Sequence, residues 1–154
     1  MNISNLISNI LVMTAWSTVL SIGSIMMLAA LERKTPSAPV TAISHIVYGD
    51  KAIDSRRVDF LHFAIGFGLN LMAMIGWSVV AEIGFRVLHI LPNNFIGTCF
   101  VASAVSVLAY FTDFYVVPKR FTPGFEHILS RRALFITYVF LAVSFLIGGM
   151  QRGG

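Results

Sequence analysis

The sequence predicts an all-α integral membrane protein: a bundle of four transmembrane helices, both termini periplasmic, with two short interfacial helices in the cytoplasmic loops. Three observations carry that prediction. Four apolar stretches, Ile10–Leu31, Phe60–Ala81, Phe95–Val117 (broken by Asp113) and Ala133–Met150, are each long enough for a helix to cross a hydrocarbon core of ~30 Å. Nine of the eleven Lys and Arg residues fall in two of the gaps: Arg33, Lys34, Lys51, Arg56 and Arg57 in the first, Lys119, Arg120, Arg131 and Arg132 in the third. Only Arg86 and Arg152 lie on the other side, and an excess of Lys and Arg marks cytoplasmic loops. The composition agrees, with 56% hydrophobic and 12% charged residues and a mean hydropathy of +0.81, against about a quarter charged in soluble domains.

Spans at about 10–31, 60–82, 95–117 and 133–150 use almost all of the 154 residues, so a single transmembrane domain is expected. No Lys or Arg precedes Arg33, whereas a signal peptide carries its basic region before the apolar core. The first helix is therefore expected to be retained. The formal charge of +4 is explained by basic residues flanking spans, which suits anionic lipid rather than nucleic acid. A lone Cys99 excludes an intramolecular disulfide and a cysteine-based metal site.

In the first connection, Pro36 and Pro39 favour an extended start. Val40, Ile43, Ile46 and Val47 then recur at near-helical spacing before Gly49-Asp50. This predicts a short amphipathic helix on the membrane surface, with Tyr48 as interfacial anchor. Ser55 is the expected N-cap of the second span. Pro92-Asn93-Asn94 signals a tight hairpin between the second and third spans. In the third connection, Thr122 as N-cap with Pro123 at the first helical position predicts a helix. Its apolar face would be Phe121, Phe125, Ile128 and Leu129.

Helices in lipid associate through small residues and shared hydrogen bonds. Each span carries one such stripe: Thr14, Ser17, Thr18 and Ser21 on the first; His62, Gly66, Asn70, Ala73 and Trp77 on the second; Thr98, Ala102, Ser106, Ala109 and Asp113 on the third; Thr137, Leu141, Ser144 and Gly148 on the fourth. Four stripes predict one compact bundle.

Ionisable groups inside spans are costly and are functional candidates by default. His62 and Asp113 lie at similar depth near the cytoplasmic side, each on its inward stripe. An Asp–His pair there would relay a proton, hold a metal or staple two helices, and the staple is the simplest expectation. Asn70, nearer mid-membrane, reads as helix glue. Glu82 is placed ~200° around its helix from His62 at 100° per residue. With Arg86 four residues on, it reads as an interfacial ion pair. His45, Asp50, Glu126 and His127 in the loops complete a candidate cluster with His62 and Asp113. No metal-ligand motif, haem-ligand pair, Ser-His-Asp arrangement or phosphate loop is present, so no metal or cofactor is expected and no catalytic residue is assigned.

Three segments resemble a group of small four-span proteins of proteobacterial inner membranes that has no established activity. They are Ser44-His45-Ile46-Val47-Tyr48-Gly49-Asp50-Lys51-Ala52, His62-Phe63-Ala64-Ile65-Gly66-Phe67, and the stretch from Val117 to Ser130 with its Thr-Pro-Gly-Phe-Glu-His run. The resemblance covers most of the chain from Ala30 onward and implies a multi-pass protein of the bacterial inner membrane.

Three functions are consistent with these features. The first is a non-enzymatic accessory, scaffold or lipid- or partner-binding protein, which needs only the stripes and loops. Its expected partners are membrane lipids, a second copy or another membrane protein. The second is a transporter for a proton, ion or small solute, acting as an oligomer; it wants polar groups through the full depth of the membrane. The third is an enzyme acting on a lipid or quinone at the cytoplasmic face, for which no motif fixes a reaction. The first is the expectation.

Overall fold

The computed structural model describes residues 3–49 and 59–153. The described residues are helical, without strands. Four helices are long and apolar enough to cross a membrane: α1 (Ile3–Leu31), α4 (Phe60–Val87), α5 (Phe95–Phe111) with its continuation to Val116, and α6 (Arg131–Met150). Two short helices, α2 (Ala38–Ile43) and α3 (His45–Tyr48), lie in the first connection. α1 and α4 run between about one and a half and two turns beyond their strictly apolar stretches, because only the apolar portion was legible from hydropathy.

The spans form a closed ring in which α1 packs against α4 and α6, and α5 packs against α6 and α4. Each neighbouring pair is antiparallel, so the two long basic connections share one end of the bundle, here called the basic end. The termini share the other, where the Gly153 amide donates to Asn9 Oδ1 at 3.0 Å.

Local signals set the ends of the spans. Asp59 caps α4 by accepting from the His62 amide at 2.8 Å. Ser55, the expected cap, lies outside the described residues. Asn94 caps α5 through the Gly97 amide at 3.0 Å, and Ser130 caps α6 through the Ala133 amide at 3.2 Å.

The stripes of three spans are buried as expected. Thr14, Ser17, Thr18 and Ser21 are buried on α1, Thr98, Ala102, Ser106 and Ala109 on α5, and Thr137, Leu141, Ser144 and Gly148 on α6. Phe100, Val107 and Phe111, opposite the α5 stripe, are exposed. On α4 the expectation fails beyond Asn70. Ala73 is exposed and Trp77 half-buried, whereas Met74, Ser78, Ala81, Glu82 and Phe85 are buried. The buried face of α4 follows steps of four residues, and such a ridge winds slowly around the helix.

Both connections at the basic end also differ from expectation. Pro39 sits in the first turn of α2 rather than in an extended arm, as proline's fixed φ allows. All of Ala38–Ile43 is buried against the bundle instead of lying half-exposed on a surface. Gly66 makes this possible: a Cβ there would stand 1.9 Å from the Val40 carbonyl oxygen. The expected helix starting at Thr122-Pro123 is instead two 3-10 turns, Lys119–Phe121 and Phe125–His127. Gly124, at φ 82°, breaks the path between them, and its missing side chain lets the backbone close on α2–α3. A Cβ at Gly124 would lie 2.6 Å from His45 Nδ1 and 2.7 Å from the Ala42 carbonyl oxygen. Phe125 and Leu129 therefore join Val40, Ile43, Ile25 and Ala133 in one apolar cluster, while Phe121 is exposed.

Candidate functional site

Within the ring, α4 and α5 meet near the terminal end, where Val101 lies close against Gly84. Toward the basic end a cavity of ≈ 140 Å³ lies between α1, α4, the end of the third span and α6. That is close to the ~150 Å³ of an apolar cavity able to hold benzene. Its walls are Ile25, Leu69, Met74 and Leu141, and its roof at the basic end is formed by Ile43, Ile46, Pro123 and Phe125. Set into this apolar lining are Ser21, Asn70, Asp113, Thr137 and Tyr138.

Two hydrogen bonds tie these polar groups across helices. The Asn70 amide donates to Ser21 Oγ at 3.1 Å, joining α4 to α1 in mid-span. The Tyr138 hydroxyl donates to Asp113 Oδ2 at 2.7 Å, joining α6 to the third span. Asp113 lies on a π-turn, Thr112–Val116, that ends this span. Such turns are uncommon and recur at functional sites. Around the pair, the Tyr138 ring meets Tyr110 edge-on at 5.2 Å and Phe114 at 5.9 Å. Asn70 spends one N–H on Ser21 and Asp113 one oxygen on Tyr138, so both keep hydrogen-bonding capacity for an occupant.

The structure thus divides the sequence-derived cluster. His62 does not meet Asp113. Its Nδ1 lies 2.8 Å from both Asp59 carboxylate oxygens, and its ring lies 4.7 Å from that of Tyr48. The hydrogen bond from the His62 amide, with that from its ring, holds the Asp59 carboxyl below its ordinary range. A carboxylate three residues before the histidine, at the cap, takes it more easily than one on another helix. Glu126 pairs with His127 at 3.8 Å. His45 is buried, with Nδ1 2.9 Å from the Ala42 carbonyl oxygen, and shares a surface cleft with His127. Asp50 lies outside the described residues. Among the described residues no three His, Cys, Asp or Glu side chains gather as a metal-ligand group. Tyr138 was missed by sequence reasoning, although a tyrosine within an apolar span needs a partner for its hydroxyl.

At the basic end, Glu32 ties α1 to α6. Lys34 Nζ lies 2.8 Å from Glu32 Oε2, and Ser130 donates to the same carboxylate through its amide and its hydroxyl. Hydrogen bonds from Lys34 first, then Ser130, hold the Glu32 carboxyl below its ordinary value. At the terminal end, Glu82 makes the expected pair with Arg86, but it is buried, 1% exposed, rather than set at an interface. Arg86 lies 2.7 Å from Glu82 Oε1, Asn9 donates to the same oxygen at 3.2 Å, and Arg152 Nη1 stands 3.8 Å from Oε2. Arg152 is itself buried. It donates to the carbonyls of Gly149 and Ile90 and lies 3.8 Å over the Phe85 ring. Burial pushes its guanidinium below the ordinary value, and Glu82 opposes that shift.

No family model matches the chain, and neither the curated proteins nor the solved structures yield a match. Its function is therefore argued from this geometry.

Proposed function

We propose that this is a non-enzymatic integral membrane binding protein. Its ligand is one lipid-class molecule whose end, a benzene-sized apolar portion bearing a single hydrogen-bonding group, enters the cavity between α1, α4, the third span and α6, with the rest of the molecule leaving through the mouth at Ala73. The observation that carries the reading is the cavity itself: apolar walls with Asn70 and the Asp113–Tyr138 pair converging on one space. Apolar pockets with a few convergent polar groups are the usual form of a small-molecule site. The setting proposed for it is the bacterial inner membrane, with the basic end cytoplasmic and the termini periplasmic. The nine-to-two division of Lys and Arg and the resemblance of the loop segments support this setting.

Passage of a proton or ion is less well supported. A buried polar seam does run along α1 and α4, from Asn9 and Glu82 through Thr14 and Ser78 to Ser21 and Asn70. Met13 and Met74 are buried alongside it, and Glu82 is engaged by two arginines, so the seam suits helix association.

The test is native mass spectrometry of the protein purified in mild detergent and re-exposed to a membrane lipid extract. Ala73 lines the cavity yet is exposed, so Ala73→Phe fills the mouth without disturbing the core. The wild type and Val80→Phe, altered on an exposed position outside the cavity, are expected to carry one bound molecule, and Ala73→Phe none. Equal occupancy in all three would refute the reading.

A further inference from the structure

The outer side of the cavity roof is a second concavity of opposite character. Helix α3 presents Ile46 to the cavity, while His45, Tyr48 and Gly49 line an open cleft. The turn Lys119–Phe121 divides in the same way, with Phe121 on the cavity and Lys119 and Arg120 on the cleft. His127 completes the lining. Two segments about seventy residues apart in sequence are thus brought together by the Gly124–His45 contact, and Lys119 and Arg120 of one line the same space as His45 and Tyr48 of the other.

We propose that this cleft is an anion site for a phosphate group, belonging to a lipid headgroup or to a free phosphate compound. It stands apart from the cavity reading and does not depend on it. Among the described residues no carboxylate is within ion-pair distance of Lys119 or Arg120, whereas Lys34, Arg86 and Arg152 each have one. An arginine and a lysine in sequence offer a planar fork and a point charge, a pairing suited to phosphate oxygens. His45 Nδ1 donates to the Ala42 carbonyl, which fixes the ring as one wall of the cleft, and the donors to an anion are Lys119 and Arg120. The His127 imidazole and the Tyr48 hydroxyl supply further polar groups at the rim, both residues being exposed. The competing explanation is that Lys119 and Arg120 serve only to orient the chain in the membrane. That role needs charge at this end of the bundle but no cleft.

The experiment separates the two. Full-length protein in nanodiscs containing equal phosphatidylglycerol and phosphatidylcholine is released in a mass spectrometer and its retained lipids are counted. In parallel, thermal unfolding in neutral detergent is followed with and without inorganic phosphate, at matched ionic strength. The variants are Lys119→Gln/Arg120→Gln, at exposed positions, and Arg131→Gln/Arg132→Gln, which removes the same charge at the same end but outside the cleft. A lipid headgroup as the source predicts that the wild type and the 131/132 variant prefer phosphatidylglycerol by at least ~10-fold, and that the 119/120 variant loses the preference. A free phosphate compound predicts that phosphate raises the melting temperature of those same two proteins and not of the 119/120 variant. If the 119/120 variant unfolds too readily to handle, Arg120→Gln alone is read by both assays. Equal effects of the two double variants, or neither a lipid preference nor a phosphate response in the wild type, would overturn the proposal.

Discussion

Glu82 offers the sharpest test of how this bundle is held together at its terminal end. It is 1% exposed, with Arg86 2.7 Å from one carboxylate oxygen and Arg152 3.8 Å from the other. A pair of charges ~4 Å apart attracts by about 4 kcal/mol at an effective dielectric of 20. Most of this offsets the cost of taking both ions out of water, so the pair adds little net stability. Removing one partner is different, because the survivor keeps its desolvation cost. Glu82→Met is expected to cost about 3–5 kcal/mol, since it strands Arg152 among Phe85, Ile90 and Gly149. Arg152→Met should cost less, because Arg86 and Asn9 still serve the carboxylate. The double variant should then lose much less than the two single losses combined, leaving a coupling of roughly 1–3 kcal/mol. The assay is equilibrium unfolding in mixed micelles by denaturing detergent, with helicity as the signal. Additive losses, with a coupling below about 0.5 kcal/mol, would show that the arginines do not share Glu82 as the geometry requires.

Two further outcomes follow from single positions and from the charge pattern. Gly66→Ala should destabilise by about 1–3 kcal/mol, because its Cβ meets the Val40 backbone, whereas Gly68→Ala, with nothing within 4 Å, should not; equal melting temperatures would refute the docking of α2 on α4. A reporter enzyme joined after Gly154 should be active only when periplasmic, and one inserted after Gly49 only when cytoplasmic; the reverse pattern would invert the proposed topology.

The spans and three of the four stripes were legible because each depends on one helix and its own period. The loops were not. The amphipathic spacing of Val40, Ile43 and Val47 signals a helix but not what covers it. The cover is Gly66, a residue whose contribution is the lack of a side chain. In the same way, Thr122-Pro123 is a sound helix start in isolation, and Gly124 overrides it through contact with His45, far away in sequence. Of the candidate cluster, His45, Asp113, Glu126 and His127 lie near the basic end but do not gather with His62 into one group. Matched depth placed His62 near Asp113, while partners were decided by reach: Asp59 is three residues from His62, and Tyr138 projects from the helix that packs on the third span.

The misreading of α4 has a single geometric cause that also accounts for Glu82. A step of twelve residues on α1, from Asn9 to Ser21, is matched by a step of twelve on α4, from Glu82 back to Asn70, because both pairs are hydrogen-bonded. The two helices therefore stay in register over three turns, and the α4 residues that face α1 recur every fourth position. Each step of four overshoots a full turn by ~40° at 100° per residue. Over the sixteen residues from Gly66 to Glu82 the contact line moves ~160° around the helix, nearly to the side opposite the starting stripe. A sector fixed at the His62 end thus predicts Ala73 and Trp77 as buried, and it assigns Glu82 to the surface. Once the line has turned, Glu82 is carried inward with Ser78 and Phe85. A carboxylate carried inside a bundle requires cations, and Arg86, one turn on, and Arg152, brought back by the chain end, are the two within reach. Among the described residues, the Lys and Arg side chains outside the basic end are Arg86 and Arg152, and one buried acid accounts for both.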